Sequence, residues 1–324
     1  MVTVDRRSAT GSVGGRVLSL AAFAGLRSLG ALSRVSPSDR VGASVARAAL
    51  DAACWLMPRT SLPHQTVQVA GPRGQTVGEW VGERPRPGQP LILYIHGSGY
   101  VGCSVATHRG LVSELARRLR RPAFSLEYRL APRHRFPQAH DDVLNGYLWL
   151  LDQGYAPADI VVIGDSAGGH LALGLCMQLR EREVAQPRAV IGFSPLVDST
   201  WRTARTREPS VRDSFMTADS ALKLTGLYTG YDQFDDYRLD VLGGVGPDLP
   251  PMLLQAGGNE ILAADAEAFA AAQRAAGGWC ELETWPGMFH VFQMASALVP
   301  EARDALRGVE RFVAEVETPH RRSA

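Results

Sequence analysis

Ile160-Val161-Val162-Ile163 runs directly into Gly164-Asp165-Ser166-Ala167-Gly168-Gly169, and a helical stretch follows from His170 onward. Four consecutive β-branched residues read as a strand buried on both faces. The strand passes at once into a helix, so the serine between them sits on a sharp, strained turn. Glycine two residues to either side removes the clashes that side chains would make there. The start of the helix aims free backbone N–H groups at the serine, which favours developing negative charge. Ser166 is therefore a candidate nucleophile in the Gly-x-Ser-x-Gly setting of strand, turn and helix. The motif alone is weak, because glycine makes up 33 of 324 residues. Its flanks and its partners decide the reading.

Working outward, short apolar runs recur at Thr66–Ala70, Thr76–Val81, Leu91–Ile95, Ala123–Tyr128, Ala189–Phe193, Met252–Ala256 and Trp279–Trp285. With 160–163 they make eight strands. Helical stretches stand between the later ones, at Arg109–Arg120, Ala139–Asp152, Gly169–Arg182 and Asp265–Ala276. Alternating strands and helices predict an α/β fold, a mostly parallel eight-stranded sheet with helices on both faces. Gly71, Pro72, Arg73 and Gly74 separate the first two runs and predict an antiparallel hairpin at the sheet's edge.

Two segments break the rhythm. Residues 200–245 carry scattered aromatics among mixed charges and read as an insertion over the C-terminal edge of the sheet. Residues 1–60 read as mostly helical. In them Leu18, Ala21, Ala22, Gly25, Leu29 and Leu32 recur at helical spacing, and Pro58 closes a second apolar stretch from Ala43 to Met57. The two segments together predict a helical cap on a core formed by 61–199 and 246–324. The basic residues Arg6, Arg7 and Arg16 before the first helix leave peripheral contact with a membrane surface open. The apolar run from Val17 to Leu26 is too short to span a bilayer.

A net charge of +1 gives no electrostatic reason to expect a nucleic-acid partner. Cys54, Cys103, Cys176 and Cys280 lie far apart, which predicts buried thiols in a reducing, cytoplasmic compartment.

The partners of Ser166 come from three loops that each follow a strand. Leu91–Ile95 ends in His96-Gly97-Ser98-Gly99-Tyr100, small residues whose N–H groups can approach a ligand. With Ala167, the N–H groups of Gly97 and Ser98 are the expected oxyanion donors, and His96 is expected to anchor the loop by a ring hydrogen bond. Met252–Ala256 leads into Gly257-Gly258-Asn259-Glu260, which places a carboxylate at the same edge as the serine. Asp265 is the rival acid, but it falls where a helix starts and reads better as a first-turn acid. The last strand leads to His290, the one histidine of eight between a final strand and a closing helix. His170, four residues beyond Ser166, is a weaker candidate base. The order Ser166, Glu260, His290 is the serine–acid–histidine order that Gly-x-Ser-x-Gly hydrolases use.

Together these residues resemble the hormone-sensitive-lipase family of esterases, the bacterial family IV of the α/β-hydrolase superfamily. Gly-Asp-Ser-Ala-Gly-Gly at 164–169 is its nucleophile motif unchanged. Its Tyr-Arg-Leu-Ala-Pro stands at 128–132, followed by Phe136-Pro137, Asp141 and Asp142. Its Ser-Pro-x-x-Asp stands at 194–198, and Pro250-Pro251 precede the acid-bearing strand. Three departures are visible. His-Gly-Gly-Gly is His-Gly-Ser-Gly here, Asp-Pro-Leu is Glu260-Ile261-Leu262, and His-Gly-Phe is His290-Val291-Phe292. The resemblance implies a capped carboxylesterase acting on small-molecule esters, without metal or organic cofactor. It also implies homodimers through the last strand, as many members form. A lipase, amidase or lactonase would share the triad, and a non-catalytic ligand-binding protein would share the fold.

Overall fold

The computed structural model describes Ser44, Arg47, Ala48, Asp51, and residues 61–71, 74–230 and 234–318. The expected N-terminal helices therefore lie almost wholly outside the described residues. So do Cys54 and the tip of the first hairpin.

All eight expected strands form one sheet. They are β1 (His64–Gly71), β2 (Gly74–Val81), β3 (Leu91–Ile95), β4 (Ala123–Leu126), β5 (Ile160–Asp165), β6 (Ala189–Phe193), β7 (Met252–Gly257) and β8 (Cys280–Trp285). Their order is β1-β2-β4-β3-β5-β6-β7-β8. The first two pairings are antiparallel, and every pairing from β4 to β8 is parallel. The edge hairpin pairs Gly71 with Gly74.

Among the described residues seven α-helices accompany the sheet: α1 (Val105–Leu119), α2 (Gln138–Asp152), α3 (Ala167–Glu181), α4 (Arg202–Arg207), α5 (Ala218–Thr229), α6 (Ala263–Ala275) and α7 (Pro300–Glu317). The strand period of two divides each buried run between two layers. Leu91, Leu93, Ile95, Val162 and Leu254 face α2, α3 and α6, where Val143, Leu171 and Phe269 cover them. Ile92, Tyr94, Val161, Ile163 and Leu253 face α1 and α7, where Leu115, Leu306 and Phe312 cover them. Each large side chain so buried contributes about 1.5–3 kcal/mol. That is why these strands carry no polar alternation.

A bridge between Asp198 and Asp240 ties together the chain before α4 and the chain after α5. Helix α5 starts at a capping box in which Thr217 accepts from the Ser220 N–H. It lies across the loop after β3, where a Cβ on Gly99 would come within 2.9 Å of Leu224. Among the described residues, no helix is long and apolar enough to cross a membrane.

Candidate active site

The ends of β3, β5, β6, β7 and β8 lie at one edge of the sheet, so the loops that follow them meet. Ser166 is the hinge of the β5–α3 turn, with φ 53° and ψ −120°. Holding a non-glycine residue there costs roughly 1–3 kcal/mol. The turn is fixed by Ser166 N–H donating to Phe193 O at 2.8 Å and by Leu196 N–H donating to Ser166 O at 3.1 Å. The flanking glycines are needed for space. A Cβ on Gly164 would lie 2.4 Å from Gly168 O, and one on Gly168 would lie 2.2 Å from Ile95 O.

His290 Nε2 is 3.0 Å from Ser166 Oγ, and His290 Nδ1 is 2.6 Å from Glu260 Oε2. An ionised carboxylate only accepts, so Nδ1 carries the proton. Nε2 is then the acceptor for the Ser166 hydroxyl. Glu260 is fully buried. Its Oε1 accepts from Ser194 Oγ at 2.7 Å and from Gly257 N–H at 2.6 Å. Burial pushes the His290 pKa down, but the hydrogen bond and charge of Glu260, with Asp213 and Asp165 beyond, raise it above its ordinary value. The three expected partners therefore stand in line, and the arrangement can pass a proton from the hydroxyl to the imidazole.

The two rival residues are placed elsewhere. Asp265 lies in the first turn of α6, as expected, but is fully buried with its Oδ2 accepting the Val197 and Asp198 N–H groups at 2.8 and 2.9 Å. It anchors the loop after β6, and burial pushes its carboxyl up to about 7. His170 Nδ1 pairs with Tyr100 Oη at 2.9 Å, and burial lowers the ring to about 4.

One expectation for the oxyanion loop is corrected. The Gly97 N–H does not face the serine: it donates to Asp165 Oδ1 at 3.0 Å. Asp165 immediately precedes Ser166 and grips the loop from below. A Cβ on Gly97 would fall 2.2 Å from Asp165 Oδ2. Among the described residues, no hydrogen bond engages the N–H of Ser98 or Gly99. Ala167 opens α3, so its N–H lacks an intrahelical acceptor. Three free donors thus come from Ser98, Gly99 and Ala167. Ser98 has φ 118°, a region that favours glycine, and its hydroxyl donates to Gly102 O.

Besides His96, support below the loop comes from residues to which the motifs assigned no role. Asp165 Oδ1 also accepts from Tyr94 Oη at 2.7 Å, and its Oδ2 lies 3.4 Å from His108 Nε2. Burial opposes charge on both partners. Their attraction prevails, lifting His108 to about 9 and holding Asp165 below the usual carboxylate range. His96 anchors the loop as expected, with Nδ1–H donating to Gly97 O at 2.9 Å. Burial, with His108 nearby, pushes His96 down to about 3, so its ring is neutral. Tyr128 stacks on that ring at 4.3 Å and donates to His96 O at 2.9 Å. Ser194 joins the acid to the base, because the Val291 N–H donates to its Oγ at 3.0 Å. Cys103, Cys176 and Cys280 are buried thiols that form no disulfide among the described residues. No group of three or more metal-ligating side chains occurs among the described residues.

Known proteins resemble this chain in sequence and in fold. A family described by its α/β-hydrolase fold matches residues 92–294. Esterase LipU of Mycobacterium tuberculosis is 32% identical over 277 residues, covering 83% of this chain and 90% of its own. Carboxylesterase/phospholipase LipF of the same organism is 32% identical over 260 residues, covering 78% of this chain and 67% of its own. The crystal structure of an esterase from the bacterial hormone-sensitive lipase family superposes with a TM-score of 0.79. It is 29% identical, and the match covers 91% of this chain and 98% of that one.

Proposed function

The chain belongs to the hormone-sensitive-lipase family of α/β-hydrolase-fold esterases, and from that premise we propose that it hydrolyses short-to-medium acyl esters through Ser166, His290 and Glu260. That it is a carboxylic ester hydrolase follows from the family and its esterase relatives. The assignment of roles rests on one observation: the serine, imidazole and carboxylate in line at 3.0 and 2.6 Å.

In this reading Ser166 attacks the ester carbonyl while His290 takes its proton. Glu260 keeps Nδ1 protonated and stabilises the imidazolium that forms. The N–H groups of Ser98, Gly99 and Ala167 bind the oxyanion, and none must first release a partner, so the hole is preorganised. His290 protonates the leaving alkoxide. An acyl ester on Ser166 remains, and water activated by His290 releases the acid and restores the serine.

The insertion 200–245 acts as the cap in this account. It sets Leu224 against Gly99 of the oxyanion loop and Phe215 against His290, with ring centroids 6.1 Å apart. Both bound the space an acyl chain would enter. Steady-state hydrolysis of p-nitrophenyl esters from acetate to palmitate tests the reading, with the Ser166→Ala variant in parallel. The expected result is a maximum at short to medium chains and no turnover above background in the variant. A folded variant with wild-type turnover would exclude Ser166 as nucleophile, and a maximum at palmitate would make the activity that of a lipase.

A further inference from the structure

Where the family motif beside the acid has proline, this chain has Ile261. Proline has no N–H, whereas isoleucine has one. That N–H donates to Asp213 Oδ2 at 2.9 Å. Asp213 belongs to the helical insertion and is 7% exposed. Its other oxygen, Oδ1, accepts the N–H groups of Phe215 and Met216 at 2.7 and 3.1 Å. One carboxylate thus shapes the turn 213–216 and fastens it to the residue after Glu260. Two contacts nearby repeat the attachment. Arg212 N–H donates to Asn259 Oδ1 at 3.2 Å, and Arg207 Nη2 donates to Gly258 O at 3.2 Å. The turn presents Phe215, which stacks on Phe289 at 5.7 Å and meets the His290 ring at 6.1 Å.

From this juxtaposition we propose that Asp213 is a positioning residue for the base. It holds Phe215 against His290 and sets a second negative charge beside the Glu260–His290 pair. The proposal rests on the reading of His290 as general base. Three charged groups act on His290: Glu260 from the loop after β7, Asp213 from the insertion and Asp165 from the end of β5. Asp213 is in turn acted on by His290 and Glu260, and burial raises its carboxyl despite three N–H donors. An asparagine here would be a neutral side chain with one acceptor oxygen, so it could serve the 215–216 turn or the Ile261 N–H but not both. A charged one favours the imidazolium that forms as Ser166 loses its proton. Removing the charge makes His290 less basic, so its ring stays neutral to lower pH.

The test is the pH profile of kcat/KM on p-nitrophenyl acetate for wild type, Asp213→Asn and Ile261→Pro. The Ser166→Ala control judges the parent reading separately: if it kept turnover, both would fall before the Asp213 variants are read. With that control inactive, Asp213→Asn is expected to move the acid limb about half a pH unit lower, since a nearby opposite charge is lost. Its plateau kcat should fall about fivefold or more, as transition-state charge is less well matched. Ile261→Pro keeps the charge, removes the one of the three attachments that Asp213 itself makes, and should raise KM about threefold as Phe215 loosens. An Asp213→Asn profile superimposable on wild type would overturn the proposal. So would a loss of thermal stability alone, with limb, kcat and KM in place. Should Asp213→Asn not fold, an unchanged KM in Ile261→Pro would overturn it, and a raised one would support it.

Discussion

Replacing Glu260 by glutamine perturbs the proposed triad with the least change of shape. The Oε1 position accepts both Ser194 Oγ–H and Gly257 N–H, at 2.7 and 2.6 Å. In glutamine the carbonyl oxygen must therefore occupy that position. The amide NH2 then faces His290 Nδ1, which in the wild type lies 2.6 Å from Glu260 Oε2. Two donors cannot meet there, so the imidazole shifts its proton to Nε2. Nε2 would then donate to Ser166 Oγ instead of accepting from it. The base is present but in the wrong tautomer. The same change in serine proteases costs on the order of 10⁴ in kcat. That equals about 5 kcal/mol of transition-state stabilisation. KM should change little, because Glu260 is fully buried and touches no substrate. Stability should hold, since both buried donors keep an acceptor. The assay is steady-state hydrolysis of p-nitrophenyl acetate with a thermal melt alongside. A folded glutamine variant within tenfold of wild-type kcat would refute the tautomer reasoning.

Other perturbations follow from the supporting contacts. Ser194→Ala removes the acceptor of the buried Val291 N–H and a donor to Glu260; a destabilisation of about 1–3 kcal/mol is expected by denaturant titration. Gly97→Ala puts a Cβ 2.2 Å from Asp165 Oδ2; displacing the loop should cost about 10²–10³ in kcat, and unchanged kinetics would mean that the loop carries no oxyanion donors. His108 has its pKa raised to about 9 in the folded protein. Its pairing with Asp165 therefore contributes fully below about pH 6.5, the unfolded value, and is lost as pH rises through about 9. Wild-type melting temperature should fall over that window and that of His108→Gln should fall less, as differential scanning fluorimetry would show.

Much of the fold is legible because buried parallel strands leave an unbroken apolar trace. Leu91–Ile95 and Ile160–Ile163 have every side chain in a core layer, and both form strands as read. Ends are harder to read. α1 begins at Val105 rather than Arg109, because Ser104 and Thr107 form a capping box upstream of the charged run. β4 stops at Leu126 rather than Tyr128, because Tyr128 turns toward the His96 carbonyl. In the candidate site, Ser166, Glu260 and His290 are legible as neighbours because each lies in a loop that follows a strand ending at the same edge. Gly97 misled because the direction of an N–H depends on backbone torsion, and composition alone does not set torsion in a run of small residues. Asp165 and His108 were hidden for another reason. They lie 57 residues apart in the chain and meet only where α1, packed on β2 and β4, brings His108 to the end of β5. Asp213 was out of reach, because the insertion has no hydrophobic period that would give its register.

Covalent capture of the nucleophile tests the account most directly. The protein is incubated with a fluorophosphonate, and its intact mass and peptide map are recorded with and without prior saturation by a short-chain ester. The account predicts one adduct per chain, on Ser166, slowed by the ester and absent from Ser166→Ala and Glu260→Gln on the same timescale. A stoichiometric adduct on any other residue, or none on Ser166 in protein that hydrolyses esters, would contradict it.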